Sequence, residues 1–431
     1  MAPGGPSLGK NRAEVLLFLS VAAVRADRAG EERNAGVAEP KQNRPGTGPQ
    51  RRDVYSRPVE APNIDFNLSR LERVISGPGK VAALGEELER RGLERAIIVT
   101  GKTLGASTLL ETVKAAAGRR CVAVFKGARQ HVPRSTVTEL EAWIERSDVD
   151  CLVSFGGGSP IDTSKVACYA FLGKREMIHI AIPTTLSAGE YTHAGGVTDE
   201  STLVKSGVSD PRLQARTVIA DPALTLLTPH WLWIATGMRA LDHAIETIYT
   251  PRHHPLSDAL ASKAITLLRQ HLPASIKTGG AEQLAHRGFC QFAAWFSIYG
   301  SMNTRFGISH LLGHQIGPRW NVAHGVTSCI TLPHAMRLMA EIAPERFGPI
   351  AEGFGVPFNP ADPKAGALAC AEHTAKFIGG FDVPHTLKDA GVPRAEIGQI
   401  VSTVLHEVEK SGVVDRPLTE QDVRGLLEAA Y

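Results

Sequence analysis

Short apolar runs alternate with helical stretches over the first half of the chain, and this alternation restricts the fold more than any other feature. The runs are rich in β-branched residues and cover residues 96–100, 121–125, 150–155, 178–182 and 217–220. Amphipathic helical patterns occupy residues 102–117 and 136–145, between the first three runs. Continuous apolar strands joined by helical crossovers form parallel sheets that helices cover on both faces. The pattern therefore predicts an α/β domain over residues 61–226.

The pattern changes near Leu227, after which the strand signal stops. Helices are predicted at residues 241–249, 257–272 and 281–299, around residues 307–312, and in several stretches after Pro360. We therefore expect an all-helical second domain over residues 227–431. A chain of 431 residues is long enough for two domains, because single cores rarely grow beyond about 250 to 300 residues.

Residues 1–60 differ in composition from the rest of the chain. They contain much of the positive charge, although the net charge of the whole chain is only +3. The apolar stretch at residues 15–24 resembles the core of a signal peptide, with Ala26 at the cleavage position. The residues that follow have the Gly, Pro and Arg content of disordered chains. We expect either a disordered extension or a leader here, which leaves organelle or export targeting open.

Composition excludes several classes of protein. The charge beyond residue 60 is near neutral, which argues against a nucleic-acid partner. No apolar run reaches the roughly 20 residues that span a bilayer, so we expect no membrane partner. The six cysteines are scattered without a C-x-x-C pair, which is typical of reduced thiols in a cytosolic enzyme. We therefore expect a cytoplasmic location. We also expect a small-molecule substrate and a homo-oligomer such as a homodimer.

A glycine run follows the third apolar run directly and leads into a helix. Gly156, Gly157 and Gly158 would let the backbone approach a pyrophosphate, and the start of a helix directs free N–H groups and a positive dipole at it. Ser159 suits the N-cap and Pro160 suits the first helical turn. The run lacks the G-x-G-x-x-G spacing and the lysine of a Walker-type loop, and a glycine turn can also serve chain geometry alone. Its position at the carboxyl end of a strand favours phosphate binding.

A second polar loop follows the fourth apolar run. Thr184, Thr185 and Ser187 carry hydroxyl groups that could bond a phosphate, a ribose or a nicotinamide amide. A turn rich in serine and threonine that only caps a helix would have the same composition. Both loops leave the same edge of the predicted sheet, so we favour one ligand shared between them.

In their order along the chain, these motifs resemble the iron-containing alcohol dehydrogenase superfamily. The resemblance runs from about Phe66 to the end and rests on residues 77–80, 156–165, 183–190, 221–222, 236–246 and 310–325. It implies a dehydroquinate synthase-like fold, in which a dinucleotide-binding α/β domain precedes an all-helical domain. It also implies NAD or NADP on the glycine loop, with Asp162, Lys165, Thr184, Thr185, Ser187 and Lys205 nearby. Gly101 replaces an acidic residue that often contacts the ribose in NAD-preferring members, so use of NADP is open.

One position of the family's metal site is changed. The resemblance implies that one aspartate and three histidines hold a divalent metal, iron or zinc, at positions that are here Arg239, His243, His310 and His324. Three histidines alone can hold zinc. However, Arg239 and His243 share a helix face, so the guanidinium would point at the metal. Asp242 would face about 100° away from His243 and is a poor substitute ligand.

Arg239 and His314 are the catalytic candidates. A fixed cation at Arg239 could stabilise the negative charge that develops on a carbonyl oxygen, or it could clamp a substrate carboxylate. His314 lies one helical turn after His310, where an imidazole with an unperturbed pKa could relay a proton. These roles predict carbonyl chemistry that does not depend on a metal.

Further stretches resemble the maleylacetate reductase branch, which lacks the acidic ligand. They are residues 124–133, 249–251 and 254–256. We therefore expect an NAD(P)-dependent alcohol dehydrogenase or carbonyl reductase that acts on a small carboxylated carbonyl compound. A typical metal-dependent alcohol dehydrogenase is one alternative. A dehydroquinate synthase-like lyase, which regenerates its cofactor, and a non-catalytic descendant are the others.

Overall fold

A six-stranded parallel sheet forms the centre of the amino-terminal half. The structure is a computed structural model that describes residues 65–202, 205–300 and 303–431. The strands of the sheet are β1 (Arg73–Ser76), β2 (Ala96–Gly101), β3 (Cys121–Ala128), β4 (Cys151–Gly156) and β5 (Ile178–Pro183), with β8 (Thr217–Ala220). Their order across the sheet is β1-β8-β5-β4-β2-β3. The remaining strands, β6 (Ala194–Thr198) and β7 (Lys205–Ser209), form an antiparallel pair.

Helices cover both faces of the sheet. They are α1 (Leu84–Arg90), α2 (Thr108–Ala117), α3 (Arg134–Ser147) and α4 (Gly158–Ala170). Successive strand residues enter opposite cores: Leu152 packs in the cluster that contains residues of α3 and α4, whereas Val153 packs in the cluster that contains residues of α1 and α2. This arrangement is the one that continuous apolar strands predict.

Helices make up the carboxyl-terminal half. They are α5 (His230–Tyr249), α6 (Pro255–His271), α7 (Ala274–Lys277), α8 (Gly280–Ile298), α9 (Ile308–Trp320), α10 (His324–Ile342), α11 (Gly348–Phe354), α12 (Pro363–Ile378), α13 (Val401–Ser411) and α14 (Glu420–Ala429). Helix α5 begins at His230, earlier than the predicted residue 241. Gly237 lies inside this helix, where a glycine weakens the helical signal of a sequence. None of the helices in the described part of the chain is long and apolar enough to cross a membrane.

The apolar core continues from the sheet into the helices. Ala181 and Val218 of the sheet belong to the same buried cluster as Trp233 and Leu241 of α5. The domain division proposed at residue 227 therefore stays a prediction, although the last strand ends at Ala220 and α5 follows at His230. The leader or extension predicted over residues 1–60 lies outside the described residues.

Three strands carry little sequence signal. Strand β1 has only four residues and lies at one edge of the sheet. Strands β6 and β7 read AGGVT and KSGVS, and glycine is depleted in strands because it has no side chain to pack. Their pairing comes from the surrounding structure, since α4 packs against β6.

Candidate active site

The glycine loop joins β4 to α4 with its helical N–H groups free. Gly156 has a φ of 144°, and Gly157 is the N-cap of α4, without a side chain that bonds the first turn. Ser159 was expected to be the N-cap, but it is the second residue of the helix instead. Its hydroxyl makes no hydrogen bond among the described residues, and the side chain is half-buried. The loop thus presents unpaired donors at the positive end of a helix, where a phosphate is favoured.

The two polar loops predicted to share a ligand lie against each other. A Cβ atom at Gly157 would lie 3.0 Å from Thr185 Cγ2, and one at Gly158 would lie 3.5 Å from Ser187 Oγ. The Thr184 N–H donates to the Gly156 carbonyl at 2.9 Å. These contacts make one continuous edge from the ends of β4 and β5, and they leave little room for a side chain at residue 157.

Asp162 and Lys165 hold the loop that follows this edge. The Asp162 carboxylate accepts from the Gly196 N–H at 3.3 Å. The Lys165 ammonium is buried and donates to the Gly189 carbonyl, to Thr192 Oγ1 at 2.9 Å and to the Ala194 carbonyl at 2.9 Å. Burial lowers the pKa of Lys165 to about 8. Both side chains therefore support the backbone beside the predicted cofactor site.

Lys205 crosses β6 and leaves its ammonium group unbonded. A Cβ at Gly196 would lie 2.2 Å from Lys205 Cε, so the lysine stem lies directly on that glycine. Among the described residues, the Lys205 ammonium has no hydrogen-bond partner. Burial and the charge of Arg239 are the main causes that lower the pKa values of His314 and His324, and the charge of Lys205 adds to them. Lys205 thus lies near enough to the histidine cluster to act on it electrostatically.

Four histidines from three helices meet around Arg239. His243 comes from α5, His310 and His314 from α9, and His324 from the first position of α10. The ring centroids of His243 and His310 are 5.6 Å apart, and those of His314 and His324 are 5.2 Å apart in a stacked arrangement. His310, His314 and His324 bring one ring nitrogen each to within 4.8 Å of one another. The ring of His243 packs against that of His310, and its Nδ1 atom is buried without a hydrogen-bond partner.

The Arg239 guanidinium extends into this cluster. Arg239 is only 3% exposed. One terminal nitrogen, Nη1, donates to Asp242 Oδ2 at 3.0 Å and to Ser328 Oγ at 2.9 Å. The other, Nη2, donates to His324 Nε2 at 2.5 Å and lies against the edge of the His310 ring, 2.9 Å from its Nε2. Every terminal nitrogen of the side chain is therefore engaged by the protein itself.

Two buried carboxylates on α5, those of Asp242 and Glu246, bond the groups around Arg239, and neither role was predicted from the sequence. Asp242 Oδ2 accepts from Ser309 Oγ of α9 and from Ser328 Oγ of α10. Glu246 accepts from the backbone N–H groups of Ser309 and His310 at 2.9 and 3.1 Å, which fixes the start of α9. The opposite charges of Arg239 and Asp242, three residues apart on a helix, were a usable signal. The serines come from other helices and gave none.

A divalent metal does not fit this set of donors. The ligands expected from the resemblance, His243, His310 and His324, include no anion, and Asp242 is bonded to Arg239. The Arg239 Nη2 atom lies within hydrogen-bond distance of both His310 and His324. A dication held by these two imidazoles would lie against a guanidinium, which is unfavourable in a buried site. Burial and the charge of Arg239 hold the pKa values of His310 and His324 well below the usual range, so both rings are neutral.

His314 differs from its neighbours because its side chain is exposed to solvent, although its ring packs against His310 and His324. It makes no hydrogen bond among the described residues. The enclosing protein and the charge of Arg239 lower the pKa of His314 to about 3. The expectation of an unperturbed pKa is therefore not met. A neutral His314 can still relay a proton, because one ring nitrogen accepts while the other donates.

The backbones of α5 and α10 meet directly beneath this cluster. A Cβ at Gly325 would lie 2.4 Å from the Ala235 carbonyl oxygen. Only a glycine allows the two helices to come this close, and Gly325 is the neighbour of His324. The close approach brings His324 within reach of Arg239.

Comparison with known proteins connects this site to a family. The family model described as "Iron-containing alcohol dehydrogenase" matches residues 72–222. The model described as "Fe-containing alcohol dehydrogenase family, C-terminal" matches residues 233–431. The maleylacetate reductase of Burkholderia cepacia is 30% identical over 84% of this chain and 96% of its own length. The chain belongs to the iron-containing alcohol dehydrogenase family. The lactaldehyde reductase of Escherichia coli K12 is also 30% identical, over 82% of this chain and 97% of its own.

The fold of this member of the iron-containing alcohol dehydrogenase family agrees with the folds of solved structures. The crystal structure of the iron-containing alcohol dehydrogenase from Corynebacterium glutamicum superposes with a TM-score of 0.74 at 27% identity, covering 86% of this chain and 97% of that one. The predicted fold class and the predicted family, near the maleylacetate reductases, are therefore confirmed. As a family member, the chain is an oxidoreductase that acts on CH–OH or carbonyl groups.

Proposed function

We propose that this chain is an NAD(P)-dependent carbonyl reductase or alcohol dehydrogenase in which the cation of Arg239 takes the place of the metal. The observation that carries the proposal is the position of Arg239 Nη2, bonded to His324 Nε2 at 2.5 Å and lying against His310. Two of the three histidines that would bind a metal are therefore neighbours of a permanent positive charge. A positive charge near the reacting oxygen is what hydride transfer to a carbonyl requires.

The glycine loop and the loop after β5 are the proposed cofactor site. Gly157 to Ser159 present free N–H groups at the start of α4, and Thr185 and Ser187 line the same edge. When bound, a nicotinamide cofactor supplies the hydride. Asp162 and Lys165 would act by holding the backbone of residues 189–196 in place, and the unbonded ammonium of Lys205 is available to the ligand.

Small carboxylated carbonyl compounds are the proposed substrates. Asp242 pairs with Arg239 and is fully buried, whereas the Lys205 ammonium has no hydrogen-bond partner among the described residues and offers an uncompensated positive charge near the histidine cluster. The Burkholderia cepacia and Escherichia coli relatives, a maleylacetate reductase and a lactaldehyde reductase, both reduce small carbonyl compounds by name. Because the terminal nitrogens of Arg239 are engaged, the arrangement favours charge stabilisation over a bidentate carboxylate clamp at this residue. His314, open to solvent, would relay the proton that the product hydroxyl needs.

Metal analysis of the purified protein, with activity measured before and after a chelator, tests this proposal. We expect less than stoichiometric metal and no effect of the chelator. Arg239→Asp should restore the acidic ligand and raise metal affinity, while turnover falls by about two to three orders of magnitude. Arg239→Lys is the matched control, because it keeps the positive charge and loses the planar arrangement of guanidinium donors. One tightly bound metal per chain, with activity lost on chelation, would contradict the proposal.

A metal-dependent alcohol dehydrogenase is the second candidate. The convergence of His310, His314 and His324 within 4.8 Å favours it, whereas the contacts of Arg239 with His310 and His324 count against it. The same metal analysis separates the two. A lyase would leave NAD(P)H absorbance unchanged over complete turnover, whereas the proposed reductase consumes NAD(P)H in proportion to product.

A further inference from the structure

The hydrogen bond between Arg239 and His324 determines which nitrogen of His324 carries a proton. A guanidinium has donors and no acceptor, so the His324 nitrogen that faces it must accept. That nitrogen is Nε2, at 2.5 Å from Arg239 Nη2. An imidazolium has no lone pair to accept with. His324 is therefore a neutral imidazole whose single proton is on Nδ1.

The protonated nitrogen of His324 has no acceptor within the described residues. The side chain is half-buried, and Nδ1 is not among the buried polar atoms that lack a partner. The His324 ring stacks on His314, with an interplanar angle of 15°, and His314 is exposed. The Nδ1–H group is thus an unused donor beside the open side of the cluster.

The neighbouring groups suit a donor at this position. His324 is the first residue of α10, and the amino end of a helix favours negative charge. Arg239 polarises the ring from the other side, and Asp242 and Ser328 hold the guanidinium that does so. His310 is a weaker candidate because Arg239 Nη2 lies close to both of its ring nitrogens, which leaves its tautomer unassigned.

We infer that His324 donates a hydrogen bond from Nδ1 to the reacting carbonyl oxygen, and that Arg239 acts through His324 by fixing its tautomer and polarising its ring. The inference rests on the proposed function. In the proposed reduction, the substrate carbon gains a hydride from the cofactor and the oxygen gains a proton from solvent through His314. His324 keeps its proton and stabilises the charge on the oxygen until that transfer.

Two amide substitutions at position 324 separate the roles of the ring nitrogens. In His324→Asn the amide nitrogen takes the place of Nδ1. In His324→Gln the amide lies at the position of Nε2, where its oxygen can accept from Arg239, and no donor remains at the position of Nδ1. With NAD(P)H and a carboxylated carbonyl substrate, we expect the Asn variant to keep kcat within about tenfold of the unmodified enzyme. The Gln variant should lose about 100- to 1,000-fold, as when one oxyanion donor is removed. Equal losses in both folded variants, or a smaller loss with Gln, would overturn the inference.

Nuclear magnetic resonance of protein labelled with ¹⁵N-histidine gives a readout that does not depend on activity. The His324 signals are identified by their loss in His324→Asn. We expect Nδ1 to carry the proton and Nε2 to be unprotonated, and we expect Arg239→Met to remove this preference. A proton on Nε2 in the unmodified protein would overturn the inference. An enzyme with no reductase activity but the expected tautomer would contradict the proposed function and leave the assignment of the His324 proton supported.

Discussion

Asp242 accepts a hydrogen bond from Arg239 at 3.0 Å, and the two form a buried ion pair one helical turn apart on α5. The same carboxylate oxygen accepts from Ser309 and Ser328, so a single atom joins α5, α9 and α10. The second oxygen, Oδ1, is buried without a partner. The positive charge beside the histidines thus has its own counter-ion, and the orientation of the guanidinium depends on it.

Replacing Asp242 with Asn should destabilise the protein and impair catalysis together. The substitution leaves the buried guanidinium of Arg239 without its counter-ion, which costs about 3 to 5 kcal/mol when a buried pair is broken. We expect the free energy of unfolding to fall by that amount in urea titrations, and kcat to fall with it. Ser309→Ala is the control, because it removes one hydrogen bond to Asp242 and should cost about 1 kcal/mol. Equal stabilities of the two variants would show that the ion pair contributes little.

Replacing Gly157 with Val should abolish cofactor binding. A Cβ at this position lies 3.0 Å from Thr185 Cγ2 and 3.1 Å from Thr185 Oγ1, so the branched side chain would push the two loops apart. We expect no saturable NAD(P)H binding in fluorescence titrations at concentrations that saturate the unmodified protein. Gly425→Ala, in open space on α14, should bind as the unmodified protein does. Unchanged affinity of a folded Gly157→Val variant would refute the assignment of the loop.

Gly196→Ala should mimic the loss of Lys205. The added methyl group would overlap Lys205 Cε, but a lysine side chain can move away at little cost to stability. We expect the melting temperature to stay unchanged while cofactor affinity falls to the level of Lys205→Met. The double variant should be no weaker than either single variant. Gly207→Ala, whose added atom meets nothing closer than 3.9 Å, should have no effect. Additive losses in the double variant would mean that Gly196 acts independently of the lysine.

Acid should remove the contribution of Glu87 to stability. Burial alone would raise the pKa of Glu87, but hydrogen bonds from Arg90 and Arg91 lower it well below its usual value of 4.5. Because the folded-state pKa is lowered, the stabilisation is complete above the unfolded pKa and is lost as pH falls towards the folded one. Glu87→Gln should therefore lose about 3 kcal/mol at pH 7 and progressively less below pH 4.5. Glu111→Gln, which breaks an exposed pair with Lys114, should cost under about 1 kcal/mol at any pH. A difference between Glu87→Gln and the unmodified protein that does not change with pH would contradict this explanation.

The sequence predicted the sheet because its central strands carry a strong local signal. All six residues of β4 are buried, so their apolar character is continuous and independent of neighbours. The edge strand β1 and the β6–β7 pair lack that signal, since short length and glycine content both weaken it. Their positions depend on contacts with distant residues, such as the pairing of Arg73 in β1 with Thr217 in β8.

The sequence predicted which residues form the site better than it predicted how their side chains are arranged. The resemblance gave the two loops, Arg239 and three of the histidines, and the helical spacing from His310 gave His314. In the structure the four histidines lie together around Arg239. The resemblance could not give the direction of a flexible side chain: Lys165 was expected near the cofactor, and its ammonium bonds the loop backbone instead. Contacts among α5, α9 and α10 also escaped prediction, because Ser309 and Ser328 are far from Asp242 in sequence.

The close approach of α5 and α10 at Gly325 bears on how the family could diversify. The position of His324 relative to residue 239 is set by two backbones in contact, at a point where even one methyl group would not fit. Substitutions at position 239 can therefore exchange an acidic side chain for a basic one without moving the frame that carries the histidines. A side chain at residue 325 would force the two helices apart, whereas a change at residue 239 alters the charge beside the histidines and leaves the contact between the helices in place.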